Sequence, residues 1–204
     1  MVRPAHDPRD EQAEQDERDE LYEAYLRVPP HQHAEIVNGT LYVMSRPAPK
    51  HANAASVLGA ELGAPFQRGR GGPGGWWILD EPELQLTRKV PIVPDLAGWR
   101  VERMPELPET AYFTLVPDWV CEVLSQSTEK LDRDQKLPYY AEQGVRHVWL
   151  LDQIDKRLEV YALDARSKRW REVRIHQGDT PVRAAPFDVI ELDLAALWSP
   201  PRVT

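Results

Sequence analysis

Apolar positions along the chain switch between a helical and an alternating period, and each switch marks a boundary between elements. From Leu21 the set Leu21, Tyr22, Tyr25 and Leu26 recurs at helical spacing, then stops at Val28-Pro29-Pro30, where proline cannot continue a helix. Alternation takes over from Ala34 to Met44 around Asn38-Gly39, two residues tolerant of positive φ, and predicts a β-hairpin with Glu35 on its first arm. Between Pro49 and Gln67 the spacing of Ala55, Leu58, Leu62 and Phe66 predicts an amphipathic helix, closed by the glycine-rich run Gly69 to Gly75. Short strand-like runs follow at Trp76 to Leu79, Glu83 to Leu86, Ile92 to Trp99 and Trp119 to Leu124. A mixed segment up to Gly144 reads as helix. Val145 to Leu151 and Arg157 to Leu163 read as paired strands turning at Gln153 to Lys156, with Trp170 to Ile175 as a third. Asp188 to Trp198 reads as a strand running into a short helix. This order predicts an α/β fold: a central mixed β-sheet flanked by helices, with an N-terminal hairpin and C-terminal strands.

Composition narrows the setting. A chain of 204 residues, 42% of them hydrophobic, buries one sizeable core, so one domain over residues 21–204 is expected. Residues 1–20 hold eight acids, three arginines and almost no apolar side chains, and are expected to form an acidic tail that at most extends the following helix. The lone cysteine, Cys121, lies in an apolar run and reads as a buried reduced thiol, which suits a cytoplasmic protein. No apolar stretch approaches the ~20 residues of a membrane helix, and the charged first residues do not read as a secretion signal. The formal net charge of -8 argues against a polyanionic partner, although 22 basic and 25 acidic residues beyond position 20 leave the body close to balance. Arg68, Arg70, Arg88, Lys89, Arg100 and Arg103 crowd the middle third, as a basic rim or as an ordinary solvated surface.

Two apolar runs each carry one carboxylate: Val93-Pro94-Asp95-Leu96 and, 27 positions beyond Asp95, Cys121-Glu122-Val123-Leu124-Ser125. An ionised carboxylate in such a run must be paired, hydrogen-bonded, at an exposed edge, or bound to metal. Oxygen ligands from two strands, completed by water, are how Mg²⁺ is commonly held, and Mg²⁺ or Mn²⁺ so held activates water against a phosphodiester.

The ordered set Glu35-Ile-Val-Asn-Gly-Thr-Leu-Tyr-Val-Met44, His51, Pro94-Asp95 and Asp118-Trp-Val-Cys-Glu122-Val-Leu-Ser125 resembles the Uma-two family of restriction-endonuclease-like bacterial proteins. The resemblance continues through Asp132, Lys136, Tyr140-Ala141, Gly144-Val145 and Val148-Trp-Leu-Leu-Asp152, so it spans most of the folded body. It implies a PD-(D/E)XK nuclease fold with metal ligands at Asp95 and Glu122, while nuclease activity itself follows only by analogy of fold. The superfamily pattern would place a lysine at position 124, on the strand face of Glu122, but Leu124 stands there. The resemblance points instead to Lys136, which Pro138 would place near a helix start and which could orient a water or stabilise phosphorane charge.

Glu35 is a candidate third carboxylate, and His51 a candidate phosphate contact or proton donor. Glu81 and Glu83 are near enough in sequence to join them. Trp76-Trp77 reads as packing rather than base stacking. The leading expectation is a Mg²⁺- or Mn²⁺-dependent endonuclease acting on DNA as a homodimer. The alternative is a catalytically inactive nuclease-fold module that binds protein or nucleic acid, a reading favoured by the acidic balance and the missing strand lysine. A glycosidase built on Glu35 and Glu122 would need a sugar-sized cleft. One cysteine and six scattered histidines offer no zinc-spaced cluster.

Overall fold

The computed structural model describes residues 8–198. Its first element, α1 (Pro8–Leu26), begins well ahead of Leu21 and includes most of the stretch expected to be an acidic tail. Local pairs support it: Gln12 donates to Asp16 and Gln15 to Asp19, each at 2.7 Å and one turn apart. Residues 1–7 of that stretch lie outside the described residues. The helix is tied to the body by Tyr25, whose hydroxyl donates to Glu83 at 2.7 Å, and by Lys89, 2.8 Å from Asp19.

The hairpin forms where alternation predicts it, as β1 (His33–Val37) and β2 (Thr40–Met44). Asn38 and Gly39 both take positive φ, +48° and +73°, the geometry a two-residue turn needs to match strand twist. The next helix, α2 (Pro49–Leu62), runs into a π-helical turn over Gly63–Gln67.

Six strands then build the main sheet among the described residues. They are β3 (Trp76–Asp80), β6 (Leu96–Arg100), β7 (Trp119–Val123), β8 (His147–Asp152), β9 (Arg157–Asp164) and β10 (Arg169–Gln177). Their order is β10-β9-β8-β7-β6-β3; only β7 and β8 run parallel. A helical crossover joins that parallel pair: α3 (Glu129–Leu131), a π-helical turn (Asp132–Lys136) and α4 (Leu137–Gln143), ended by Gly144 at φ +88°. Between β3 and β6 a small hairpin, β4 (Leu84–Thr87) with β5 (Val90–Ile92), lies beside β1. The single run expected over Ile92 to Trp99 is therefore two strands, separated at Val93-Pro94-Asp95, because Pro94 has no N–H to contribute to a ladder. A short helix, α5 (Leu194–Trp198), closes the described chain.

The sheet separates two cores. On one face Trp119, Cys121 and Val123 of β7 join Trp76, Trp149 and Leu151 beneath Leu58 and Leu62 of α2 and Leu197 of α5. Phe187 inserts among four aromatic rings there, with centroids 4.6 Å from Phe66, 4.9 Å from Trp76, 5.0 Å from Trp119 and 5.6 Å from Trp149. Gly98 makes this packing possible: a Cβ would meet Ile78, Trp119 and Trp76 at 3.1–3.3 Å. On the opposite face Val120 and Leu124 meet Trp99, Val148 and Leu150 under Tyr139 and Tyr140 of α4. Strand alternation places Glu122 on this second face with Leu124, so the position where a strand lysine would stand is filled by core.

Candidate active site

Glu122 is 2% exposed in the middle of β7, between the sheet and the helical crossover. Its Oε1 accepts from the Tyr140 hydroxyl at 2.5 Å and lies 2.8 Å from Lys136 Nζ. Lys136, 3% exposed, is no surface lysine; its Nζ also lies 3.1 Å from Glu35 Oε2, 3.4 Å from the Val93 carbonyl and 3.8 Å from Asp132 Oδ1. Lys136 stands at the start of α4, where Pro138 pointed. It also ends the π-helical turn that precedes α4, where the Leu137 N–H bonds back to Asp132.

Asp95 reaches the same place from the loop before β6. Its Oδ2 accepts the Val123 backbone N–H at 2.7 Å, which fixes the carboxylate beside the strand residue that follows Glu122. His51, in the first turn of α2, brings Nε2 to 3.4 Å from that same oxygen. Ser125, at the end of the β7 motif, turns the chain into α3: its hydroxyl accepts from the Thr128 N–H at 3.2 Å.

These side chains line one cleft of about 620 Å³ between the β1–β2 hairpin and the crossover. Glu35, His51, Asp95, Glu122 and Lys136 all border it. So does Asp132, 4% exposed, which the site expectation omitted although it stands in the family pattern. The signal was in the spacing: Asp132, Lys136 and Tyr140 recur at intervals of four, the repeat that stacks side chains on one helical face. Glu81 borders the cleft as well, whereas Glu83 is engaged by Tyr25 and Gln85. The basic rim does not form here. Arg100 lies over the Trp76 ring at 4.6 Å, Arg103 pairs with Asp118 at 2.9 Å, and the cations at the cleft mouth are Arg46 and Lys130.

The cluster's electrostatics follow from burial. Desolvation pushes the Glu122 carboxyl well above its ordinary range; Asp132, Asp95 and Glu35 push it the same way, and Lys136 opposes them. Burial likewise raises Glu35 and Asp132, again against Lys136. Burial alone would lower Lys136, but Glu122, Glu35 and Asp132 outweigh it and hold the ammonium firmly charged. For His51, burial favours the neutral ring, yet the hydrogen bond and charge of Asp95 prevail and raise it.

Three buried carboxylates, Glu35, Glu122 and Asp132, thus face one ammonium, with Asp95 on the same cleft, an arrangement with room for further positive charge. His51 Nδ1 is buried without a hydrogen-bond partner among the described residues, and Glu35 Oε2 has its ion pair with Lys136 in place of one. No three His, Cys, Asp or Glu side chains among those residues converge to hold a metal ion unaided. A cation here would need water or ligand oxygens to complete its shell.

The family model described as "Putative restriction endonuclease" (Uma2) matches residues 19–195. The chain belongs to the Uma2 family. Its fold also matches the crystal structure of "a putative nuclease belonging to DUF820" from Anabaena variabilis ATCC 29413, with a TM-score of 0.68 and 21% identity, covering 87% of this chain and 97% of that one. At that identity the likeness is one of fold. No curated protein matches the chain. Within this Uma2 chain the matched region takes in the hairpin, the sheet and the crossover, and with them every cleft residue described above. No helix among the described residues is long and apolar enough to cross a membrane.

Proposed function

We propose that this Uma2 chain is a Mg²⁺- or Mn²⁺-dependent nuclease that hydrolyses phosphodiester bonds in DNA. The observation that carries the reading is the meeting of Asp95, Glu122 and Lys136 in one buried cleft, from a loop, a strand and a helical crossover far apart in sequence. Asp95 and Glu122 would hold the cation, which when bound supplies Lewis-acid activation of water and charge neutralisation at the phosphate. Lys136 keeps its proton throughout, so it acts as a fixed positive charge and not as a base: it orients a water or receives charge developing on the phosphorus oxygens. Tyr140 positions Glu122, and Glu35 holds Lys136 on its second side. His51, pinned to Asp95 through Nε2, is a cleft group able to hold a proton near neutral pH.

The test is cleavage of single-stranded and of plasmid DNA with Mn²⁺ by the purified full chain beside Asp95→Ala. Cleavage by the first and not the second is expected; equal cleavage by both would sink the assignment. A homodimer, expected by analogy with restriction-type folds, is checked by light scattering across concentrations.

One contact favours the second reading, an inactive scaffold. Lys136 and Tyr140 both engage the same Glu122 oxygen, which makes the carboxylate partly self-neutralised without metal. Calorimetric titration with Mn²⁺ separates the two, because a pure binding module shows no heat that depends on Asp95.

A further inference from the structure

The walls of the cleft restrict what can reach its floor. Glu35, Glu122, Asp132 and Lys136 are each at most 4% exposed, so a reacting phosphate must descend to them. The hairpin wall is strapped to the crossover at two points. Deep in the cleft, Lys136 Nζ bridges to Glu35 of β1; at the hairpin tip, Asn38 Nδ2 donates to Gln135 Oε1 at 2.8 Å. The second strap ties the hairpin tip to the crossover, so the wall above the buried carboxylates is held at two separate points.

The pocket's lining divides by chemistry. Register pairs Glu35 with Tyr42 and His33 with Met44, so the inner hairpin face sets an aromatic ring and a thioether above the carboxylates. Across from them stands Leu131. At the mouth, Arg46 and Lys130 supply the only lysine or arginine charges that border the cleft besides Lys136, among the described residues. Two cations and a short apolar wall match one or two nucleotides of a flexible strand, whose exposed bases can stack on a ring; a duplex hides its bases and calls for a long basic track.

We infer that the cleft selects unpaired DNA: a nucleotide of a single strand or frayed end enters, its base against Tyr42 and Met44 and its flanking phosphates on Arg46 and Lys130. This inference rests on the nucleolytic reading for the nature of the ligand and adds the strandedness that reading leaves open.

Fluorescence anisotropy of the full chain in EDTA, where turnover is suppressed, tests it with a fluorescein-labelled oligothymidylate and a labelled blunt duplex of equal length. The single strand is expected to bind at least tenfold more tightly. Its log affinity should fall with log salt at a slope of about -1.4, as two phosphate contacts on a single strand require, and the slope should shrink in Arg46→Ala. Tyr42→Ala should weaken single-strand binding by about 5- to 150-fold, the range for one lost stacking contact. Tyr42→Phe keeps the ring and should restore binding, which separates stacking from a failure to fold; Met44→Ala probes the same wall independently. Equal or tighter duplex binding, no binding of either probe, or indifference to Tyr42→Ala in a folded protein would overturn the inference. The Mn²⁺ cleavage assay reports separately. Cleavage confined to duplex leaves the nuclease standing and removes the pocket's selectivity, whereas single-strand binding without cleavage does the reverse.

Discussion

Lys136 Nζ lies 2.8 Å from Glu122 Oε1, and both side chains are 3% exposed: the charged pair at the centre of the cleft joins the crossover to the middle of the sheet. Removing either partner strands the other in a space with little water. Lys136→Met is expected to cost about 3–5 kcal/mol near neutral pH, as for other buried pairs that lose one member. The sign of its pH dependence follows from the carboxyls. Glu122 and Glu35 are already raised and rise further without the ammonium, so they take up protons as pH falls and the deficit shrinks. Urea denaturation of both proteins at acid and neutral pH measures this; a deficit that grows on acidification would contradict it.

Asp95 has a structural duty besides its proposed one, since it accepts the Val123 N–H at 2.7 Å. Asp95→Asn retains an oxygen for that bond and loses the charge. Cleavage with Mn²⁺ is expected to fall to background while the thermal midpoint changes by less than it does for Asp95→Ala, which leaves the N–H without an acceptor.

On the far side of the crossover, Arg133 grips Glu159 through two nitrogens at 2.8 Å each. Burial alone would raise Glu159, but the hydrogen bonds from Arg133 and Tyr161 outweigh it and lower the carboxyl below its ordinary value of 4.5. A depressed carboxyl contributes stability that is complete above pH 4.5 and lost as pH drops through the lowered value. Glu159→Gln should therefore melt below the parent at neutral pH and converge with it on acidification, a comparison that differential scanning calorimetry makes directly.

Phe187 touches four aromatic rings from three strands and a helical turn while belonging to none of those elements. Phe187→Ala should cost about 3–5 kcal/mol. Near-UV circular dichroism should weaken with it, because Trp76, Trp119 and Trp149 all lose their neighbour.

Gly39 sits at φ +73° with nothing within 4 Å of where a Cβ would stand, so Gly39→Ala isolates backbone strain from crowding. A loss of about 1–2 kcal/mol is expected. Chemical denaturation checks it; no loss would mean that the turn relaxes out of the left-handed region.

Much of this is legible in the sequence. Period and punctuation located the hairpin, the α2 helix and most sheet strands, because in those segments local pattern and tertiary burial ask for the same residues. Asp95 and Glu122 stand out as lone carboxylates in apolar runs, whereas Glu35, His51 and Lys136 join them through the family pattern. Asp132 escaped attention because a carboxylate amid Arg133 and Asp134 looks like solvated surface; only the helical phase it shares with Lys136 and Tyr140 tells otherwise. The α1 helix extended further into the acidic segment than expected, since its support is side-chain pairing along one turn and two anchors to the body, none of it hydrophobic. The middle-third basic residues misled because sequence proximity says nothing of direction: Arg100, Arg103 and Lys89 are spent on Trp76, Asp118 and Asp19.

The wide turn at Asp132–Lys136 has a corollary for how this chain can change by descent. Each helical residue advances the side-chain direction by about 100°, so deleting one residue there would swing everything downstream by that angle relative to what precedes it. Asp132 and Tyr140 could then no longer face a common point. Point substitutions can reshape the mouth freely, but the spacing from Asp132 to Tyr140 is a length that evolution can alter only by dismantling the cluster and building another.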